Sequence, residues 1–212
     1  MDDLDRRAAA LAALPPSCGP VRLIAVDGHA GSGKSTFAAR LASAIGGEGG
    51  GVPVLHLDDL ATHEQLFEWT DRMLSQVIEP LSHGRTAHYD PYDWILRRFG
   101  SPRALAAAPV VLIEGVGAGR RELRPYLAGL LWMEINAEES WQRGRSRDGG
   151  ELSSFWDGWI VAEARHFAED PSRPFADALV CEFREGYKWL PGPPATARSN
   201  QSITQGDYSP PA

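Results

Sequence analysis

The residues best equipped for chemistry in this chain stand together between positions 26 and 41, in "VDGHAGSGKSTFAARL". Gly28 to Ser35 reads G-x-x-x-x-G-K-S, and its lysine is one of only two, with Lys188, among 21 basic residues. Arginine serves at the other 19 basic positions, so Lys34 is read as chosen for a task that a bulkier planar guanidinium does not fit. Gly28, Gly31 and Gly33 let the backbone turn successive N–H groups toward one point, and a helix beginning at Lys34 directs its positive dipole end there. The chemistry predicted is the holding of phosphates. Gly28, Ala30, Gly31, Ser32, Gly33, Lys34, Ser35 and Thr36 form the P-loop that cradles a nucleotide, and the ammonium bridges its terminal phosphates.

Further acidic and basic residues suit the same chemistry. A nucleoside triphosphate is handled with Mg²⁺, a hard cation that takes oxygen ligands and keeps several waters. Ser35 offers a hydroxyl beside the phosphates, and Glu114, after the apolar run "VVLI", is placed as a carboxylate that holds the metal directly or through water. Asp58 and Asp59 end the run "VPVLHLDDL" (52–60), where strand alternation would turn one of them toward the phosphates. "WQRGRSRDGGEL" carries Arg143, Arg145 and Arg147 into a glycine loop, with Arg143 and Arg147 on one helix face. "TAHYDPYDWILRRFG" (86–100) gathers Tyr89, Asp90, Tyr92, Asp93 and Trp94, whose carboxylates can bind sugar hydroxyls while the rings cover a sugar or base. His83 and His88 flank this block and are expected to face solvent.

These groups need a scaffold. Residues 1–14 predict a short amphipathic helix ended by Pro15-Pro16. "VRLIAV" (21–26), 52–60, 109–119, 128–136 and "ADALVCEF" (176–183) predict five strands, and 34–45, 62–81, 138–147 and 153–170 predict helices between them. Such alternation implies an α/β fold, a parallel sheet with helices on both faces and ligands at the carboxyl ends of its strands. The helix bearing Phe155, Trp156, Trp159, Ile160 and Phe167 is assigned to the core. From Gly186 onward the chain is rich in Pro, Gly, Ser and Thr, so 186–212 is expected to be a disordered tail behind a single domain, 1–185.

Composition narrows the partners. With 212 residues, 43% of them hydrophobic, the chain can bury one sizeable core, and a net charge of −7 argues against a general nucleic-acid binder. The two cysteines, Cys18 and Cys181, show neither metal spacing nor a disulfide framework, which suits a reducing compartment. No apolar run reaches membrane-span length and the acidic N-terminus is unlike a signal peptide, so a cytoplasmic location with no membrane partner is expected.

"VDGHAGSGKST", "HLDDL", "YDPYDW", "VLIEGVGA" and "RGRSRD", in this order, resemble the uridine kinase and phosphoribulokinase branch of the P-loop kinases, most closely its compact uridine kinase-like members, over residues 21 to 183. The resemblance implies a five-stranded parallel sheet of nucleoside-monophosphate-kinase type and transfer of the ATP γ-phosphoryl group to a hydroxyl of a small acceptor. It implies that Asp58 accepts the hydroxyl proton or helps hold Mg²⁺ with Ser35 and Glu114. By the same resemblance Arg143 and Arg147 act from a lid (143–152) with Asp148 as partner, and Asp90, then Asp93, holds ribose hydroxyls from an acceptor-binding segment (81–109). That segment is shorter than in uridine kinases, Leu60 replaces an aromatic residue and Arg145 an apolar one, so the base-recognising residues are not assigned. A homodimer is left open. Two other classes stand beside the kinase: a nucleotide switch, disfavoured because no N/T-K-x-D element is present, and a catalytically silent P-loop module, which the presence of Lys34, Ser35, Asp58 and Glu114 disfavours.

Overall fold

The computed structural model describes residues 3–184 and 186–194. In chain order it forms α1 (Asp3–Ala12), β1 (Arg22–Asp27), α2 (Lys34–Gly46), β2 (Val54–His56), a 3-10 turn at Leu57–Asp59, and α3 (Thr70–Met73). A π-helical turn at Leu74–Ile78 joins α3 to α4 (Glu79–Ser82), followed by β3 (Ala87–Tyr89), β4 (Tyr92–Asp93), β5 (Arg98–Phe99), β6 (Arg103–Leu105) and β7 (Val110–Glu114). The rest is β8 (Leu127–Met133), α5 (Ala137–Asp148), α6 (Ser153–Glu169), β9 (Ala178–Phe183) and β10 (Gly186–Pro191).

The main sheet has the order β10-β9-β8-β1-β7-β2. β1 lies between β7 and β8, parallel to both; β2 and β9 extend the parallel array, and β10 closes it antiparallel to β9. All five residues of β7 are buried, as a strand covered on both faces requires. Along β1 the alternation is complete: Ile24 and Val26 join Phe37 and Leu41 of α2 on one face, while Leu23 and Ala25 join Trp69, Met73 and Val77 on the other. The 81–109 segment adds two small antiparallel ribbons, β3 with β6 and β4 with β5.

Three expectations are corrected. The sheet has six strands, not five, because residues 186–191, assigned to a tail, form β10. There Tyr187 and Trp189 set their rings edge-on against Phe37, with centroids 4.7 and 5.6 Å away, while Lys188 between them is exposed. Residues 195–212 of the expected tail lie outside the described residues. The second strand stops at His56, so Asp58 and Asp59 sit on a turn and strand alternation does not sort them.

The third correction concerns the helix over 62–81, which begins at Thr70 because Arg120 needs the chain in another form. Its guanidinium lies 3.6 Å from the Trp69 ring centroid and donates to the Phe67 carbonyl (2.8 Å) and the Thr70 hydroxyl. A continuous helix would commit the Phe67 carbonyl to its own ladder and leave a buried cation short of acceptors. Pro80, which has no N–H to give, is accommodated by the π turn before it, where the Glu79 N–H bonds the Leu74 carbonyl.

Both cysteines are free, and burial pushes the Cys18 thiol up to about 11, far from a nucleophile's range. Among the described residues no helix is long and apolar enough to cross a membrane.

Candidate active site

The glycine-rich loop runs from the carboxyl end of β1 to the first turn of α2. Gly31 and Gly33 hold φ of 85° and 88°, a region closed to most side chains, and a Cβ on Gly31 would come within 2.1 Å of the Ser140 carbonyl oxygen. α2 has Gly33 at its N-cap with no side-chain hydrogen bond, which leaves the first N–H groups of the helix open to an anion. Lys34 is buried, and its Nζ donates to the loop's own His29 carbonyl at 2.8 Å.

Asp27, at the end of β1, fixes the loop that faces the P-loop. Fully buried, it accepts from the N–H groups of Gly28 (2.7 Å) and Gly117 (2.9 Å) through Oδ1 and of Gly119 (2.8 Å) through Oδ2. Asp27→Ala would strip three buried donors of their acceptor, so the unfolding free energy should fall by about 3 kcal/mol or more. A denaturant titration showing a loss under about 1 kcal/mol would contradict this role.

A cavity of about 340 Å³ opens over the loop, lined by Ala30, Gly31, Gly33, Lys34, Ser35, Thr36, Asp58, Glu114, Arg143 and Arg147, with Gly115, Val116, Gly144 and Trp159. The structure thus brings together most of the sequence-predicted loop, Asp58 and Glu114 of the three acidic candidates, and two of the three arginines. Gly28 and Ser32 do not line the cavity; Ser32 is buried inside the loop and its Oγ has no hydrogen-bond partner among the described residues. Trp159, assigned to the core, also forms part of the wall, whereas Trp156 is buried against Gly144, where a Cβ would come within 2.2 Å of its ring.

On the acidic side Glu114 is buried, and its Oε1 accepts from Ser35 Oγ at 2.9 Å and meets His56 Nδ1 at 2.5 Å. The hydrogen bond to Glu114 lifts His56 above the usual imidazole range. Asp58 reaches solvent through the mouth of the cleft, yet the surrounding protein, and then the Glu114 carboxylate, push its pKa up against the pull of Lys34 and His56. Asp59 is engaged elsewhere, accepting from Arg103 at 2.9 Å and the Tyr89 hydroxyl at 3.2 Å. No group of three His, Cys, Asp or Glu among the described residues could hold a metal alone. Ser35, Glu114 and Asp58 nevertheless offer oxygen donors around one cavity, a set that fits Mg²⁺ completed by water and phosphate oxygens.

On the basic side, α5 starts from an Asn136 cap whose Oδ1 accepts from the N–H groups of Glu138 and Glu139. Arg143 donates to Glu182 at 2.7 Å, and Arg147 makes a two-pronged pair with Asp148 at 2.6 and 3.0 Å. The Arg147 bond holds the Asp148 carboxyl below its ordinary range. Arg145 turns away to Asp157 at 2.5 Å and does not line the cavity.

None of the acceptor-block residues lines this cavity. Asp90 is bound through its backbone, its carbonyl accepting from Arg72 at 2.6 Å, and Asp93 Oδ1 accepts from the N–H groups of Ile95 and Leu96 to shape a turn. Tyr92 meets His63 Nδ1 at 3.1 Å through its hydroxyl. Trp94 is the member tied to the site: its Nε1 donates to the Asp58 carbonyl at 3.0 Å, and its ring packs near His63 and Phe155. His83 and His88 are exposed. His56, His63 and Glu163 are site neighbours that no spacing in the sequence marks.

No protein-family model matches the chain, and no curated protein matches it. Among solved structures, one described as a possible uridine kinase from Bacillus stearothermophilus superposes with a TM-score of 0.56 at 18% identity, covering 83% of this chain and 96% of that one. A protein from a Silicibacter species, described only as a candidate fructose transport system kinase, gives 0.53 at 20% identity over 78% and 89% of the two chains. At these identities the likeness is one of fold: this chain shares with the two solved structures an α/β architecture, here a six-stranded mixed sheet flanked by helices.

Proposed function

We propose that this protein is an ATP- and Mg²⁺-dependent phosphotransferase acting on a hydroxyl of a small molecule, a nucleoside such as uridine or cytidine or a similar sugar-bearing metabolite. The observation that carries this reading is the convergence of Lys34, Ser35, Asp58, Glu114, Arg143 and Arg147 on one cavity. A negative chain favours a small-molecule partner over nucleic acid.

Phosphoryl transfer passes through a loose transition state, so the work left to the protein is alignment and neutralisation. The open N–H groups at the start of α2 and the Lys34 ammonium receive the phosphates, with Lys34 leaving the His29 carbonyl to do so. Ser35 and Glu114 would hold Mg²⁺, which supplies further neutralisation when bound. Asp58 either joins them as a ligand or orients the acceptor hydroxyl and takes its proton, and its raised proton affinity suits the second role. Arg143 and Arg147 exchange Glu182 and Asp148 for phosphate oxygens. Their side chains are 44% and 70% exposed, so these surface pairs are worth about 0–1 kcal/mol and are readily given up. Asp59, Tyr89, Asp90, Tyr92, Asp93 and Trp94 belong to the acceptor side, which Trp94 joins to Asp58.

The test is ATP consumption with Mg²⁺ across nucleosides, sugars, vitamins and aminocyclitols, with products identified by mass. A kinase gives strong stimulation by one acceptor class and a product heavier by one phosphoryl group. Slow hydrolysis indifferent to every acceptor would favour a switch, and tight nucleotide binding without consumption a silent module.

A further inference from the structure

Three parts of the site meet on one carboxylate that phosphoryl transfer leaves without a role. Glu163 of α6 is fully buried and both its oxygens are doubly engaged. Oε1 accepts from His29 Nδ1 at 2.7 Å and Trp141 Nε1 at 2.8 Å; Oε2 accepts from the Ala30 N–H at 3.0 Å and Trp159 Nε1 at 2.8 Å. Burial opposes its charge, yet the donors, His29 foremost, hold its pKa below the usual carboxylate range. A buried polar network satisfied at every acceptor is rigid.

The donors come from separate elements. His29 and Ala30 belong to the phosphate loop, Trp141 to the helix that carries Arg143 and Arg147, and Trp159 to the cavity wall. α5 also touches the loop along one line: Ser140 Oγ donates to the Ala30 carbonyl at 2.8 Å, and Gly31 abuts the Ser140 carbonyl and the Gly144 nitrogen. Ser140 and Gly144 are four apart and share a face, and a helix held along one face can still roll about it. Trp141 lies about 100° further around α5. A second tether at that angle stops the roll.

Resting on the phosphotransferase reading of the cavity, we infer that Glu163 is a positioning residue: by tying Trp141 to the phosphate loop it sets the roll of α5 and aims Arg143 and Arg147 at the terminal phosphate of a bound nucleoside triphosphate.

Trp141→Phe tests this directly, since it keeps a ring in place and deletes the N–H. Calorimetric titrations with Mg²⁺-ADP and with the Mg²⁺ complex of a non-hydrolysable ATP analogue separate the two contributions. The diphosphate reports the loop and the added phosphate reports the arginines. Wild type should prefer the analogue. In Trp141→Phe the ADP affinity should stay within about twofold while the preference falls about five- to tenfold, the scale of one charge-assisted hydrogen bond. Arg147→Ala should lose part of the same preference, and the losses in the double variant should be less than multiplicative, because Trp141 acts in part through that arginine. Glu163→Gln, which turns an amide NH₂ toward two donors, should lose the preference and weaken ADP as well.

A Trp141→Phe protein with wild-type preference, or with both nucleotides weakened alike, overturns the role of Glu163. So does a double variant whose losses multiply. Equal affinity of wild type for ADP and analogue overturns the aiming of the arginines while leaving the loop assignment intact, and binding of neither nucleotide removes the phosphotransferase reading and this inference with it.

Discussion

Lys34→Ala is expected to lower acceptor-dependent ATP turnover by about 10²- to 10³-fold or more, the cost of removing a preorganised charge from where phosphate charge develops. The loss should come from chemistry and not from unfolding. Lys34 donates a hydrogen bond to the His29 carbonyl, which also accepts from the Ser32 N–H at 3.1 Å, so the loop keeps an internal bond after truncation. The melting temperature should therefore move little while turnover collapses. Lys34→Arg should not rescue it, because a planar fork does not seat where a compact ammonium does. Steady-state kinetics beside thermal unfolding would read both quantities. Near-normal turnover in the alanine variant would remove Lys34 from the mechanism and the phosphate assignment of the cavity with it.

The second large effect is expected at Asp58. Asp58→Asn keeps the shape of the side chain and removes its ability to take a proton, so kcat should fall by about 10²- to 10⁴-fold while nucleotide affinity is largely kept. The variant should be about as stable as wild type, since Asp58 faces solvent at the mouth of the cleft and the neighbouring Glu114 carboxylate disfavours the charge that the substitution deletes. A variant with lower kcat, retained binding and unimpaired stability isolates the proton-accepting role. Unchanged kcat would move that role to another carboxylate. Asp59 is the poorer replacement because Arg103 and Tyr89 already hold it, and Asp90 is next in line.

Local patterns that agree with their tertiary setting were readable from sequence, and the rest required three dimensions. The loop was legible because its glycines, its strand and its helix lie within one continuous stretch, and β7 because a strand buried on both faces is written as an unbroken apolar run. β10 was hidden by the Pro, Gly and Ser residues around it, which outweigh a two-ring alternation whose meaning depends on Phe37, far away in sequence. The late start of α3 reflects a buried guanidinium at position 120 overriding helical periodicity at 62–69. Of the cavity lining, the glycine-rich loop, Asp58, Glu114, Arg143 and Arg147 could be named in advance. His56 and Glu163 could not, because their meaning is the partner they meet: Glu114 lies 58 positions from His56, and His29 lies 134 positions from Glu163. The acceptor block shows the opposite limit. Its composition suggested a pocket, yet the Asp93 carboxylate shapes a turn and the Asp90 carbonyl is held by Arg72, so residue type alone did not separate packing from recognition.

The most direct measurement is the fate of the terminal phosphate of γ-labelled ATP, incubated with Mg²⁺ and the acceptor panel, with wild type beside Lys34→Ala. The account predicts label on the hydroxyl of an organic acceptor with wild type and almost none with the variant. Label found solely in inorganic phosphate, or the same organic product from both proteins, would contradict it.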